Sequence, residues 1–106
     1  MTTVEYEPGE FRLKVTGHAG SAPVGQDLVC AAVTVLIWTL CDRVTERPGY
    51  WPMVAQSEAD ATIEVRCRPE RGQVRSCIEL LDTIAAGYAL LAEHYPEFVR
   101  METVEG

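Results

Sequence analysis

Phe11, Leu13 and Val15 alternate with Arg12, Lys14 and Thr16, the period-two pattern of a strand with one face buried. Residues 2–6 alternate more weakly and read as a partner strand. The Pro8-Gly9 pair between them suits the two central positions of a type II turn, so the chain opens with a hairpin. The pattern then changes. Leu28, Val29, Ala32, Val33, Val35, Leu36, Ile37, Trp38 and Leu40 crowd into one stretch, which predicts a helix over residues 28–45. Asp27 stands where an N-cap belongs, its carboxylate able to accept from the N–H of Val29 or Cys30, and Arg47-Pro48-Gly49 ends the helix. A helix apolar nearly all round is buried on more than one side. In so small a domain, the second cover is expected from another subunit.

Residues 53–57 form a weak strand. Ala61, Ile63, Val65 and Cys67 alternate with Thr62, Glu64 and Arg66, a clear strand, and the two make a second hairpin around Glu58-Ala59-Asp60. Residues 68–72 are a loop. From Val74, the residues Cys77, Ile78, Leu81, Ile84, Ala85, Tyr88, Leu91 and Ala92 recur at helical spacing and mark an amphipathic helix. Pro96 stops it, and residues 98–104 read as a last strand. The order ββαββαβ predicts an α+β fold: a two-layer sandwich with a mixed or antiparallel sheet of about five strands and both helices on one face.

Length and charge narrow the function. At 106 residues, 47% of them hydrophobic, residues 1–106 make one domain with a core of its own. The start of the chain shows no basic segment leading into an apolar one, so no secretory leader is expected. The longest apolar run, residues 28–37, is broken only by Thr34 and is shorter than a membrane span. The expected setting is therefore cytoplasmic, without a membrane partner. Sixteen acidic residues against nine basic ones give a net charge of −7, with no basic run to displace phosphate counterions. Direct nucleic-acid binding is not expected, and basic partners are favoured by long-range attraction.

The candidate chemistry lies where strand gives way to helix. His18 follows Gly17 at the end of the Phe11–Leu13–Val15 alternation, and Cys30 falls at the start of the long helix. A helix N-terminus favours a thiolate, and an imidazolium facing it favours it further. Asp27 is assigned to capping and orientation. Residues 19–26 contain no bulky side chain except Val24. There Gly20 and Gly25 permit close approach of a substrate, which suits a loop that closes over a peptide. Cys41, Cys67 and Cys77 form no CxxC pair and have no histidine at zinc-finger spacing. They read as reduced core thiols, and neither a metal nor a cofactor is expected. His94, near the end of the second helix, is read as structural.

Gly17-His18-Ala19, Gly25, Asp27 and Val29-Cys30-Ala31-Ala32-Val33 together resemble the motif of the bacterial ribosomal-processing cysteine protease family (Prp, YsxB-like). The segment Glu93-His94-Tyr95-Pro96-Glu97-Phe98-Val99-Arg100 is similar to that family's ending, and length and element order agree over nearly the whole chain. The resemblance implies a Cys/His pair at Cys30 and His18, the family's aspartate at Asp27, and a homodimer. It also implies removal of a short N-terminal extension from a large-subunit ribosomal protein, allowing ribosome assembly. Thr34 stands where the family usually has serine and keeps the hydroxyl. Ser21 and Pro23-Val24 replace a more aromatic and charged loop, and the N-terminal hairpin is shorter.

The expected mechanism is that of a cysteine endopeptidase. His18 takes the Cys30 proton, the thiolate attacks a peptide carbonyl, and His18 protonates the leaving amine. Backbone N–H groups at the helix start, that of Cys30 included, are expected to stabilise the oxyanion. Two other readings use the same residues: a thiol-based redox or regulatory protein sensing through Cys30, and a ribosome-assembly binding protein without peptidase activity.

Overall fold

A computed structural model describes residues 1–17 and 26–105, except the side chains of Gln26 and Asp27. The order is β1 (Thr2–Glu7), β2 (Arg12–Thr16), α1 (Gln26–Glu46), β3 (Met53–Ser57), β4 (Thr62–Arg66), α2 (Val74–His94) and β5 (Val99–Thr103), as the hydrophobic pattern predicts. The sheet runs β3-β4-β2-β1-β5. β5 lies parallel to β1, and the other neighbours are antiparallel, so the sheet is mixed.

Strand alternation decides the layers. Val4, Tyr6, Leu13, Val15 and Val65 are buried in one core with the inner residues of both helices. Their neighbours Glu5, Glu7, Arg12 and Glu64 lie on the opposite face. There Arg12 Nε donates to Glu64 at 2.6 Å, and its terminal nitrogens reach Glu5 and Glu7 at 3.2 and 3.3 Å. The result is an open-faced sandwich, helices on one side and a charged sheet surface on the other.

The first hairpin turns differently from expectation. Pro8–Glu10 form a 3₁₀ turn, closed by the Phe11 N–H on the Pro8 carbonyl at 3.1 Å. The left-handed residue is Phe11, with φ 51°, and not Gly9. The fixed φ of Pro8 suits the first position of a 3₁₀ turn as well as it suits a type II turn. Local sequence therefore did not separate the two.

α2 presents Cys77, Leu81, Ile84, Ala85 and Tyr88 to the core, one face of a helix at 3.6-residue period. Leu81 is fully buried, and Leu81→Ala is expected to cost about 2–5 kcal/mol in urea unfolding, as a large-to-small core change does. The two helices touch closely at Gly87, where an added Cβ would lie 2.9 Å from Leu36 Cδ2. Tyr88 donates its hydroxyl hydrogen to the Val33 carbonyl at 2.8 Å.

α1 is covered by its own domain further than its composition suggests. Val29, Val33, Ile37, Leu40 and Val44 are buried, and Leu36 is partly buried. What stays outside is a shorter apolar strip, with Leu28, Val35 and Trp38 at 78%, 56% and 63% exposure. Within Leu28–Glu46 an 18-residue window averages a hydropathy of 1.7, so by length and composition alone this helix is apolar enough to cross a membrane. In the fold, its inner stripe packs on the sheet.

Candidate active site

α1 begins at Gln26, two residues before the expected start. Asp27 therefore sits within the first turn and does not precede it as a cap. The same shift corrects the expected role of the Cys30 amide. In an α-helix each N–H bonds the carbonyl four residues back, so the Cys30 N–H belongs to Gln26. The N–H groups without an intrahelical partner at this end are those of Gln26, Asp27 and Leu28. They carry the positive end of the helix dipole, and Cys30 lies just past them, half-buried.

Thr34 follows Cys30 by one turn on the same flank, and its hydroxyl donates to the Cys30 carbonyl at 2.8 Å. Thr39 and Thr45 make the same bond to Val35 and Cys41 at 2.7 Å. The Thr34 bond is thus the ordinary behaviour of a helical threonine, and its hydrogen goes to the backbone and not to the sulfur.

The end of β2 is held at the same end of the sandwich. The Gly17 N–H donates to the Ala61 carbonyl at 2.8 Å, and Ala61 lines the same cavity as Thr34. Gly17 has φ +73°, and an added Cβ would stand 2.8 Å from the Met1 carbonyl oxygen. Both facts demand glycine, and this residue immediately precedes His18 in the chain. In the sequence this glycine stands where the strand alternation stops. Gly17→Ala is expected to cost roughly 1–3 kcal/mol of backbone strain, read as a lowered Tm.

The remaining thiols have a different environment. Burial pushes the Cys67 thiol up to about 12, helped by the adjacent Cys77, and burial also raises Cys77 and Cys41. Cys41 lies toward the C-terminal end of α1, where the dipole disfavours a thiolate. Raised thiols hold their protons in the folded chain after the unfolded chain has released them. Their contribution to stability is complete below the ordinary value of 9.0 and is lost as pH rises toward about 12. Tyr6, which donates to Asp82, and the buried Tyr88 shift in the same direction. Urea midpoints are expected to fall steadily above pH 9.0, and Cys67→Ala to flatten that fall.

Cys30 and Thr34 share one flank of α1, and Gly17 at the end of β2 is bonded to Ala61, which lines the same cavity as Thr34. His18, Gly20 and Gly25 lie outside the described residues, as does the loop expected over residues 19–26 apart from Gln26, which opens α1. His94 stands exposed in the last turn of α2. Among the described residues, no group of three His, Cys, Asp or Glu side chains is placed to hold a metal.

Fold and site define a small open-faced α+β protein with a half-exposed thiol just inside the N-terminus of its central helix. A family model described as cysteine protease Prp matches residues 1–100, and the chain belongs to that family. It is similar to the ribosomal processing cysteine protease Prp of Bacillus subtilis (strain 168), at 37% identity over 49 residues, 46% of this chain. The match spans 44% of that relative's length. The fold is that of a crystal structure of an essential ribosomal processing protease Prp from S. aureus in complex with a substrate peptide. That match has a TM-score of 0.81 and 17% identity, covering 98% of this chain and 100% of that one. SMU.848 from Streptococcus mutans matches with a TM-score of 0.78 and 26% identity, over 99% and 93% of the two chains.

Proposed function

We propose that this protein is a cysteine endopeptidase that removes an N-terminal extension from a large-subunit ribosomal protein during ribosome assembly. Cys30 is the nucleophile and His18 the base that takes its proton and returns it to the leaving amine. The first-turn N–H groups of α1 stabilise the oxyanion, and Asp27 in that turn orients the site. The observation that carries this reading is the position of Cys30: half-exposed and immediately beyond the first-turn N–H groups of a long helix, whereas burial raises the other three thiols. Membership of the cysteine protease family, and relatives named as ribosomal processing proteases, support the substrate class. A charge of −7 favours a basic ribosomal protein. Four free cysteines fit a reducing cytoplasm. Incubating the chain with the host's ribosomal-protein precursor, followed by mass spectrometry, is the deciding test. Loss of an N-terminal peptide is expected, and an uncut precursor would overturn the assignment.

The working form is a homodimer. Support comes from the strip of Leu28, Val35 and Trp38 left exposed on α1, an apolar surface of the kind that another protein chain covers. Sedimentation at micromolar concentration is expected to give twice the chain mass, and Val35→Glu to halve it.

A further inference from the structure

Six of the chain's nine basic residues fall in two short segments, 42–51 and 66–75. They are Arg43, Arg47, Arg66, Arg68, Arg71 and Arg75. No basic run exists in the sequence, but the fold joins the two segments. The Arg68 N–H donates to the Tyr50 carbonyl at 2.9 Å, and the Glu70 N–H to the Gly49 carbonyl at 2.8 Å. Tyr50 donates its hydroxyl hydrogen to Ser76 at 2.7 Å, and the Arg47 guanidinium lies 5.9 Å from the centre of the Tyr50 ring. The last turn of α1, the connection to β3, the loop after β4 and the first turn of α2 thus share one end of the molecule.

Against six cations these segments hold three carboxylates, Asp42, Glu46 and Glu70. Asp42 is taken by Arg43 at 2.9 Å, and Glu70 accepts from Trp51. Among the described residues, no carboxylate lies within ion-pair distance of Arg47, Arg68, Arg71 or Arg75, all of them exposed. The buried Nε of Arg66 has no acceptor among those residues either. Salt screens charges more than about 8 Å apart at physiological ionic strength. This end therefore acts as a basic surface even though the whole chain carries −7.

Trp51 decides the partner. It stands beside these arginines at 65% exposure, with φ 47°. A bulky residue avoids that region, and a residue before proline, here Pro52, is normally extended. Its indole N–H is tied to Glu70 at 2.9 Å. The fold thus accepts backbone strain to hold a large ring outside the core. Guanidinium forks grip phosphate oxygens in pairs, and every base offers a π-face to an aromatic ring. An acidic protein would use the arginines and leave the ring idle. We propose that this end of the molecule binds a single-stranded RNA segment, its phosphates on Arg47, Arg68, Arg71 and Arg75 and an unpaired base on Trp51. The surface lies about 25 Å from Cys30 along α1, at about 1.5 Å per residue, so bound RNA leaves the thiol open. The choice of RNA over DNA rests on the ribosomal setting proposed above, and the binding itself does not.

The test is fluorescence anisotropy with a fluorescein-labelled oligouridylate about twelve nucleotides long, a length typical of single-strand sites. Binding is expected at about 50 mM salt and should weaken about fiftyfold by about 200 mM, as four phosphate contacts on a single strand require. Arg71→Gln combined with Arg75→Gln is expected to weaken binding roughly tenfold at the lower salt and to halve the salt slope. Trp51→Ala is expected to weaken it roughly tenfold at both salt concentrations with the slope unchanged, and Trp51→Phe to restore most of the loss. All these changes fall on exposed residues, and thermal midpoints near wild type check the fold. No binding at the lower salt, or binding that either the arginine pair or Trp51→Ala leaves intact, would overturn the proposal. An equally tight fit to a polyglutamate peptide of the same length would also overturn it, making the surface a protein dock. Tighter binding of an oligodeoxyuridylate of that length would overturn the choice of RNA. None of these outcomes involves Cys30, so the peptidase reading stands or falls by precursor cleavage alone.

Discussion

Cys30→Ala is expected to lower cleavage of the ribosomal-protein precursor by roughly 10⁴-fold or more, the scale on which loss of a nucleophile acts in covalent proteolysis. Removing Sγ leaves no atom able to form the acyl-enzyme. It takes little from the fold, because Cys30 is only half-buried and alanine is the best helix former. The thermal midpoint should therefore stay within a few degrees of wild type while turnover disappears. His18→Ala should lose activity on a similar scale, since the thiol then lacks its base and the leaving amine its proton donor. A wild-type rate in either variant would end the mechanism. The same experiment separates catalysis from sensing: a redox protein working through Cys30 would cut nothing in the first place.

The second large effect is in thiol reactivity. Only the thiolate is alkylated, and a thiol raised to about 12 holds about a thousandfold less thiolate near pH 8 than an ordinary one. Cys67 and Cys77 are both buried, so access slows them further. Brief exposure to iodoacetamide followed by peptide mapping is expected to place the label on Cys30, with Cys67 and Cys77 modified only once urea unfolds the chain. Cys41 should be intermediate, being half-buried yet raised by desolvation. Labelling of Cys67 or Cys77 ahead of Cys30 would show that the accessible, activated thiol is elsewhere, and would remove the main support for the peptidase reading.

These expectations depend on features that differ in how far the sequence reveals them. The strands and helices were legible because their burial is periodic. Leu13 and Val15 alternate with Arg12 and Lys14, and Cys77, Leu81, Ile84 and Tyr88 recur at helical spacing. Each pattern is a local record of which face meets the core. The element order and the α+β class followed from those patterns alone. Cys30 and His18 stand out as candidates for another reason: a thiol and an imidazole at the junction of a strand and a helix are conspicuous against apolar neighbours.

Tertiary structure decided what depends on partners distant in sequence. The parallel pairing of β1 with β5 joins the two ends of the chain, and no local pattern encodes which strand neighbours which. The start of α1 at Gln26 moved Cys30 beyond the first-turn N–H groups, a shift that cap residues alone do not resolve. The turn at Pro8–Glu10 was ambiguous because proline serves both turn types. The long apolar run of α1 could not say which of its residues the sheet and α2 would cover. Only the packed structure separates the buried Val33 and Ile37 from the exposed Leu28, Val35 and Trp38. The space beside Thr34 is likewise absent from the sequence. Its walls come from α1, β2 and the β3–β4 hairpin together, and such a gap belongs to the assembly of elements and not to any one of them.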